Sequence, residues 1–151
     1  MAETRPAILV VDDVPDNLAL ARALLRQRYD VRTATSGDKA LEMASAEPPD
    51  LILLDVMMPG LDGYETCVRL KADERLRQIP VIFLTARAEI EDEERGFSLG
   101  AVDYVTKPLN PSLLLARVNT HLKLKQAQDL LQERNGFLEA EIARRVQEIT
   151  L

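Results

Sequence analysis

Short apolar runs alternate with longer segments of helical spacing along the first 110 residues. The apolar runs lie at residues 7–12, 29–35, 51–55, 80–86 and 101–107. The segments with helical spacing lie at residues 16–27, 37–46, 63–72 and 89–98. This alternation is typical of βα units built around a parallel sheet. This pattern therefore predicts a doubly wound α/β fold with five parallel strands and helices on both faces.

The polarity of the runs predicts the order of the strands. The run at 29–35 is the more polar one, which favours an edge position, whereas 7–12 and 51–55 are apolar enough for the centre of a sheet. The flavodoxin-like order 2-1-3-4-5 satisfies both conditions. From Pro111 the helical pattern continues to the end of the chain, so we also expect a long C-terminal helix.

Composition narrows the class of protein. The 151 residues carry a net charge of −6, which argues against a nucleic-acid-binding surface. A single cysteine, Cys67, excludes an internal disulfide or a cysteine-rich zinc site, and we interpret it as a structural residue of a cytoplasmic protein. No apolar run approaches the roughly 20 residues of a membrane span, so no membrane partner is expected.

Polar side chains recur where the predicted strands end: Asp12, Asp13, Asp55, Thr85 and Lys107. Taken singly, each has an ordinary structural interpretation: a helix cap, a strand residue or a solvated lysine. Taken together, they lie at the same end of four of the five strands. Because the carboxyl ends of parallel strands meet at one edge of the sheet, we expect the five side chains to share one crevice.

The chemistry of such a crevice is specific. Three carboxylates repel one another, and a divalent cation that prefers oxygen ligands, Mg2+ or Mn2+, would compensate them. With Lys107 the site would then be neutral and open to an anion. The sequence has no Walker P-loop and no G-x-G-x-x-G motif, so a phosphoryl group on a carboxylate is expected rather than a nucleotide.

Four motifs resemble the receiver domain of two-component response regulators. They are VVDD at 10–13, LLDVMMPGLDG at 53–63, LTA at 84–86 and YVTKP at 104–108. The resemblance covers about residues 6–120 and keeps the motifs in the family's order. It assigns residues 1–120 to a receiver domain that acts as a signalling switch, with a sensor histidine kinase as its partner.

The resemblance also implies a role for each motif residue. Asp55 would accept the phosphoryl group. Asp12 and Asp13 would hold Mg2+ together with Asp55 and the backbone carbonyl of Met57. Thr85 and Lys107 would contact the phosphoryl group.

The backbone amide of Ala86 would lie close to the phosphoryl group as well, and Tyr104 would turn into the core when Thr85 moves. A cis bond before Pro108 would set the backbone of Lys107. Met57 and Arg87 stand two residues beyond Asp55 and Thr85, where they offer no carboxylate or amide to orient water. We therefore expect slow loss of the phosphoryl group.

Residues 121–151 have a different character from the rest of the chain. They hold equal numbers of acidic and basic residues, so the net charge of −6 lies in residues 1–120. A heptad register places Leu124, Leu131, Leu138 and Arg145 at d, and Gln128, Asn135, Ile142 and Ile149 at a. This pattern favours a parallel two-stranded coiled coil that makes the protein a homodimer. The alternative is a single helix, since Gly136 weakens the helix interior.

The end of the chain adds two further interpretations. His121 has no neighbours that suggest a metal or a phosphorelay, and we interpret it as a helix-surface residue. The segment NGFLEAEIARRVQEI is similar to the connector that precedes HD-GYP cyclic-di-GMP phosphodiesterase domains, and connectors before GGDEF cyclase domains can look alike. The chain stops inside the helical pattern, which suggests that an output domain follows in a longer protein.

The sequence thus predicts a phosphorylation-activated switch whose helical linker transmits a change to an output domain in cyclic-di-GMP turnover. Its own chemistry would be limited to gaining and losing a phosphoryl group, so it is not expected to be an enzyme with an external substrate. Two alternatives remain open. One is a metal-binding dimerisation scaffold without phosphotransfer, and the other is a Mg2+-dependent phosphatase.

Overall fold

A computed structural model of the protein describes residues 4–86 and 90–150, with the side chains of 90–93 and 148–150 outside the description. Strands and helices alternate throughout this part of the chain. The strands are β1 Ala7–Val11, β2 Asp30–Ala34, β3 Leu51–Asp55, β4 Val81–Thr85 and β5 Asp103–Thr106. The helices are α1 Pro15–Leu25, α2 Gly37–Ala46, α3 Gly63–Ala72, α4 Ile90–Ser98 and α5 Pro111–Thr150.

The strands form one parallel sheet in the order β2-β1-β3-β4-β5, which confirms the predicted topology. The polar strand β2 lies at an edge, and β1, β3 and β4 are buried along their whole length. Strand β5 begins two residues later than predicted. The chain is still leaving α4 at Gly100, whose positive φ of 108° makes the turn before Val102 bonds to Val81.

Helices cover both faces of the sheet, and neighbouring residues of each strand point into the two separate cores. On β1, Leu9 and Val11 pack into a core with α2 and α3, whereas Ile8 and Val10 pack with α1 and α5. The apolar runs are therefore continuous, as strands buried on two faces require. Because helices cover both faces, the ends of the strands are where a ligand can reach the residues of the sheet.

The start of α3 lies against the end of β3. Asp62 caps the helix by accepting a hydrogen bond from the Glu65 amide at 2.8 Å, and the Gly63 amide donates to the Val56 carbonyl at 2.9 Å. A Cβ atom on Gly63 would lie 2.2 Å from the carbonyl oxygen of Asp55. A glycine is required for this close approach, which fixes the backbone that carries Asp55.

Helix α5 has two parts with different surroundings. Leu114, Val118 and Leu122 are buried under the sheet, but most residues after Leu122 are exposed. At 1.5 Å per residue, the exposed part extends about 40 Å beyond the sheet and the helices that cover it. None of the helices in the described ranges is long and apolar enough to cross a membrane.

Asp103, the first residue of β5, holds α5 where it leaves the sheet. Its Oδ2 atom lies 2.9 Å from Nε2 of His121 and accepts a hydrogen bond from Arg117 at 3.1 Å. Its Oδ1 atom accepts from the amide of Tyr104 at 2.8 Å. His121 is therefore bonded and mostly buried, and our interpretation of it as a surface residue was wrong. No local pattern in the sequence indicates a partner for His121 that lies 18 residues away.

The contact between α3 and β3 predicts that Gly63→Ala lowers the free energy of unfolding by about 1–3 kcal/mol, because a backbone atom has to move to admit the methyl group. Urea unfolding followed by circular dichroism measures this change. Gly136→Ala is the matched control, since no atom lies within 4 Å of the added Cβ. It should leave the stability of the sheet and its packed helices unchanged and increase the helicity of α5. Equal effects of the two substitutions would contradict the steric explanation.

Candidate functional site

The ends of three strands bring a lysine and two carboxylates together. Asp12 follows β1 directly, Asp55 is the last residue of β3, and Lys107 follows β5. The Nζ atom of Lys107 lies 2.9 Å from Oδ2 of Asp12 and 3.2 Å from Oδ1 of Asp55. Both carboxylates are almost completely buried. The expected convergence of these three residues is therefore present in the structure.

A third carboxylate, that of Asp13, completes an acidic cluster. Asp12, Asp13 and Asp55 each offer an oxygen atom, and these atoms lie within 4.8 Å of one another. Asp12 is held in place by the Val14 amide, which donates to its Oδ1 atom at 2.9 Å. With three negative charges and the positive charge of Lys107, the cluster carries −2. A divalent cation with oxygen ligands fits both this charge and these donors.

Asp55 shows the effect of this crowding in its acidity. Burial, followed by the charge of Asp12, raises the pKa of Asp55 from 3.8 to about 6. The charge and hydrogen bond of Lys107 and a hydrogen bond from the Met57 amide act in the opposite direction without cancelling the rise. Ionised Asp55 is therefore under-compensated by protein groups, which is the condition that a bound cation would relieve.

Lys107 remains a cation in this environment. Burial alone would lower its pKa, but the hydrogen bonds and charges of Asp12 and Asp55 outweigh it, and the pKa of Lys107 is raised. Its backbone amide donates to the carbonyl oxygen of Thr85 at 2.7 Å, which joins the ends of β4 and β5. The expected Lys107–Pro108 bond is cis.

The other candidate residues line a crevice next to Asp55. The crevice has a volume of about 420 Å³, and its walls include Met57, Tyr64, Thr85, Ala86 and Arg95. The side chain of Thr85 is buried, whereas Met57 is 77% exposed. The sulfur-bearing chain of Met57 thus stands at the mouth of the crevice. Arg87, the other residue that we connected with phosphoryl lifetime, lies outside the described residues.

The ring of Tyr104 is already inside the core. It is 9% exposed, and its centroid lies 5.4 Å from that of Phe83 and 5.6 Å from that of Phe97. Gly96 makes room for it, since a Cβ atom there would lie 2.0 Å from the Tyr104 hydroxyl. The inward position that we expected only after phosphorylation is therefore present in this structure.

Sequence reasoning did not identify Arg95 as part of this crevice. Its guanidinium carbon lies 4.4 Å from the centre of the Tyr64 ring, a cation–π arrangement between α4 and α3. The hydroxyl groups of Tyr64 and Tyr104 are 3.5 Å apart. Arg95 thus connects the crevice to the aromatic core. No pattern in the sequence signals a pair separated by 31 positions on different helices.

Comparisons with known proteins agree with this geometry. The model of the response regulator receiver domain family matches residues 8–119. A Vibrio cholerae serotype O1 protein named "Probable cyclic di-GMP phosphodiesterase" is 48% identical over 94% of this chain and 32% of its own length. The response regulator PleD of Caulobacter vibrioides is 45% identical over 85% of this chain and 29% of its own length. The chain thus spans about a third of each relative.

Solved structures show the same fold. The chemotaxis protein CheY4 of Vibrio cholerae has a TM-score of 0.75 and 29% identity, over 78% of this chain and 98% of its own. The Francisella response regulator 1452 receiver domain has a TM-score of 0.73 and 32% identity, over 79% and 98% of the two chains. Together with the acidic cluster and Lys107, these matches establish that the chain belongs to the response regulator receiver domain family.

Proposed function

We propose that this receiver accepts a phosphoryl group on Asp55 from a sensor histidine kinase and passes the change through a dimeric helical linker to an output domain. One observation carries the proposal: the Asp55 carboxylate stands at the end of a central strand, 3.2 Å from a lysine and within a cluster of acidic side chains.

The buried free cysteine of α3 agrees with a reducing compartment, and we propose a cytoplasmic location.

The transfer itself needs little chemistry from the protein. A carboxylate oxygen of Asp55 attacks the phosphorus of a phosphohistidine, the new O–P bond forms, and the P–N bond to the imidazole breaks. Such reactions are catalysed mainly by positioning and by electrostatic stabilisation. The contact between α3 and β3 positions Asp55, and Lys107 provides a cation for the oxygen atoms of the transferred group.

Asp12 and Asp13 would hold Mg2+ together with Asp55 and the carbonyl group of Met57. When bound, the metal supplies positive charge to the transferred oxygen atoms. The protein's own contribution is the low exposure of Asp12 and its two hydrogen bonds, from the Val14 amide and the Lys107 ammonium, which keep this carboxylate fixed. A mobile carboxylate would have to be ordered again at each turnover of the switch.

The response to phosphorylation would pass through Thr85 and Tyr104. A phosphoryl group adds charge and acceptor oxygens, and the Thr85 hydroxyl and the Ala86 amide are the nearby donors on the wall of the crevice. Thr85 lies two residues after Phe83 on β4, and the Phe83 ring contacts Tyr104, so a move of Thr85 would change the packing around Tyr104. Because the Tyr104 amide bonds to the Asp103 carboxylate, which also bonds to α5, a shift of β5 would reach the helix.

The exposed part of α5 supports a dimer as the receiving element. Leu131, Leu138 and Ile142 lie at d, d and a of the heptad register and are 54–62% exposed in a single chain. Exposed apolar side chains at this spacing are expected to pair with a second copy. Ile149, which the register also uses, has its side chain outside the described residues.

The output is proposed to be cyclic-di-GMP turnover. The support is the similarity over 94% of this chain to the relative named as a phosphodiesterase, which continues well beyond the matched region. The end of α5 also resembles the connector that precedes such domains. Within this chain, the proposed chemistry is restricted to the phosphoryl group on Asp55.

Phosphorylation is tested by the intact mass of the protein after incubation with acetyl phosphate and Mg2+. We expect one phosphoryl group on the wild type, none on Asp55→Asn, and much slower addition to Asp13→Asn because the metal is held less well. Addition to both wild type and Asp55→Asn would assign the acceptor elsewhere. No addition to the wild type, with Mg2+ still bound, would support a metal-binding scaffold instead.

The raised pKa of Asp55 predicts how stability depends on pH when EDTA removes metal ions. Between about pH 4 and 6, the folded chain binds a proton at Asp55 that the unfolded chain has released, so wild-type stability falls as pH rises through this range. A rise in pKa from 3.8 to about 6 corresponds to about 3 kcal/mol at most.

Asp55→Asn lacks this titration. It should be more stable than the wild type at pH 7.5 by about 1–3 kcal/mol, with the difference shrinking toward pH 4. Urea unfolding at several pH values measures the difference, and added Mg2+ should reduce it by stabilising the wild type. A difference that does not change with pH would show that ionised Asp55 is not the cause.

The dimer proposal predicts a concentration-dependent mass in sedimentation equilibrium. Leu131→Ala/Leu138→Ala should raise the dissociation constant by at least about tenfold, since each large apolar side chain contributes on the order of 2 kcal/mol when buried. Leu130→Ala/Phe137→Ala is the matched control, because these two exposed residues lie outside the a and d positions. A wild type that stays monomeric would support the single-helix interpretation of residues 121–151.

A further inference from the structure

A second pocket lies at the amino-terminal ends of strands β4 and β5, on the opposite side of the sheet from the carboxyl ends where Asp55 stands. Its volume is about 250 Å³, and it opens where α5 leaves the receiver fold. Lys71 and Arg77 come from α3 and the loop after it, and His121 and Lys125 come from α5. We call the space between these four residues the basic pocket. The basic pocket lies between the receiver fold and the start of the exposed part of α5.

The lining of the basic pocket is unusual for a chain with a net charge of −6. It contains two lysines, an arginine, a histidine and two glutamines, and no carboxylate among its described lining residues. Lys125 is paired with Asp129, and His121 with Asp103, so those two groups already have acidic partners. Lys71 and Arg77 have none among the described residues.

Lys71 is the more constrained of these two cations. Its ammonium donates to the carbonyl oxygens of Arg77 at 3.0 Å and Ile79 at 2.7 Å, which uses two of its three N–H groups. Burial lowers the pKa of Lys71, and the nearby Cys67 acts in the opposite direction. A half-buried ammonium with an N–H group left over and no carboxylate partner among the described residues is favourable for an incoming anion.

We infer that the basic pocket binds a compact phosphate-type oxyanion, either inorganic or the phosphate group of a small ester. The ammonium of Lys71 and the guanidinium of Arg77 provide the charge, and the amides of Gln78 and Gln128 provide neutral donors. The volume suits a small ligand, since typical sites for drug-sized molecules have about 300–1,000 Å³.

Binding would connect two parts of the molecule. Lys71, Arg77 and Gln78 belong to the receiver fold, whereas Lys125 and Gln128 belong to α5 as it leaves the sheet. An anion bound by both sets would restrict the motion of α5 relative to the receiver fold at the point where the helix leaves the sheet. The site is separate from Asp55, so this inference does not depend on the proposed function, and Asp55→Asn should bind the anion as the wild type does.

Isothermal titration calorimetry of the full chain tests the inference, with pyrophosphate and adenosine monophosphate as separate probes and EDTA present. We expect saturable binding of one probe molecule per chain. Arg77→Gln should weaken it by about tenfold, the loss of one charge-assisted hydrogen bond. Arg77 is exposed, so this substitution should leave the fold intact. Tighter binding of one probe identifies the source of the phosphate group.

Lys123→Gln is the control, because Lys123 is an exposed cation on α5 that does not line the pocket. It should leave the affinity unchanged. Hydrogen exchange of residues 123–130 gives a second readout, and the bound probe should slow exchange there in the wild type but not in Arg77→Gln. Absence of saturable binding would overturn the inference. So would an equal loss in Arg77→Gln and Lys123→Gln, which would indicate diffuse attraction.

Discussion

The repulsion among three carboxylates at one edge of the sheet is the constraint on which the rest of this structure depends. Asp12 and Asp55 are both buried next to one lysine, and that lysine compensates only part of their charge. This imbalance favours a bound cation, and the positive charge of a cation would in turn attract the oxygen atoms of a phosphoryl group. Burial of the apolar strands stabilises the fold and offsets the unfavourable free energy of this acidic cluster.

The mechanical connection from the site to α5 uses few atoms. Lys107 bonds through its side chain to Asp12 and Asp55, and through its amide to Thr85. Four residues earlier, Asp103 bonds to the amide of Tyr104 and to His121 on α5. The short strand β5 thus lies between two polar anchors. A displacement of one end of β5 would therefore be expected to move the other end as well.

The sequence predicted the sheet order and the meeting of the strand-end carboxylates with Lys107, because both follow from hydrophobic patterning and from parallel topology. It could not reveal contacts that depend on how a helix packs against the sheet or against another helix. The Arg95–Tyr64 and Asp103–His121 pairs depend on how helices lie against the sheet, and no local periodicity records that. The inward position of Tyr104 was missed for a similar reason. It depends on the absence of a side chain at Gly96, on a different element.

The exposed part of α5 has a geometric consequence of its own. If it tilted where Asp103 and Leu122 hold it, it would act as a lever about 40 Å long. A tilt of only about 5° at the pivot would carry the far end through about 3–4 Å, the scale on which packed interfaces change register. An adjustment too small to disturb the receiver's core would therefore be large at the far end of the helix.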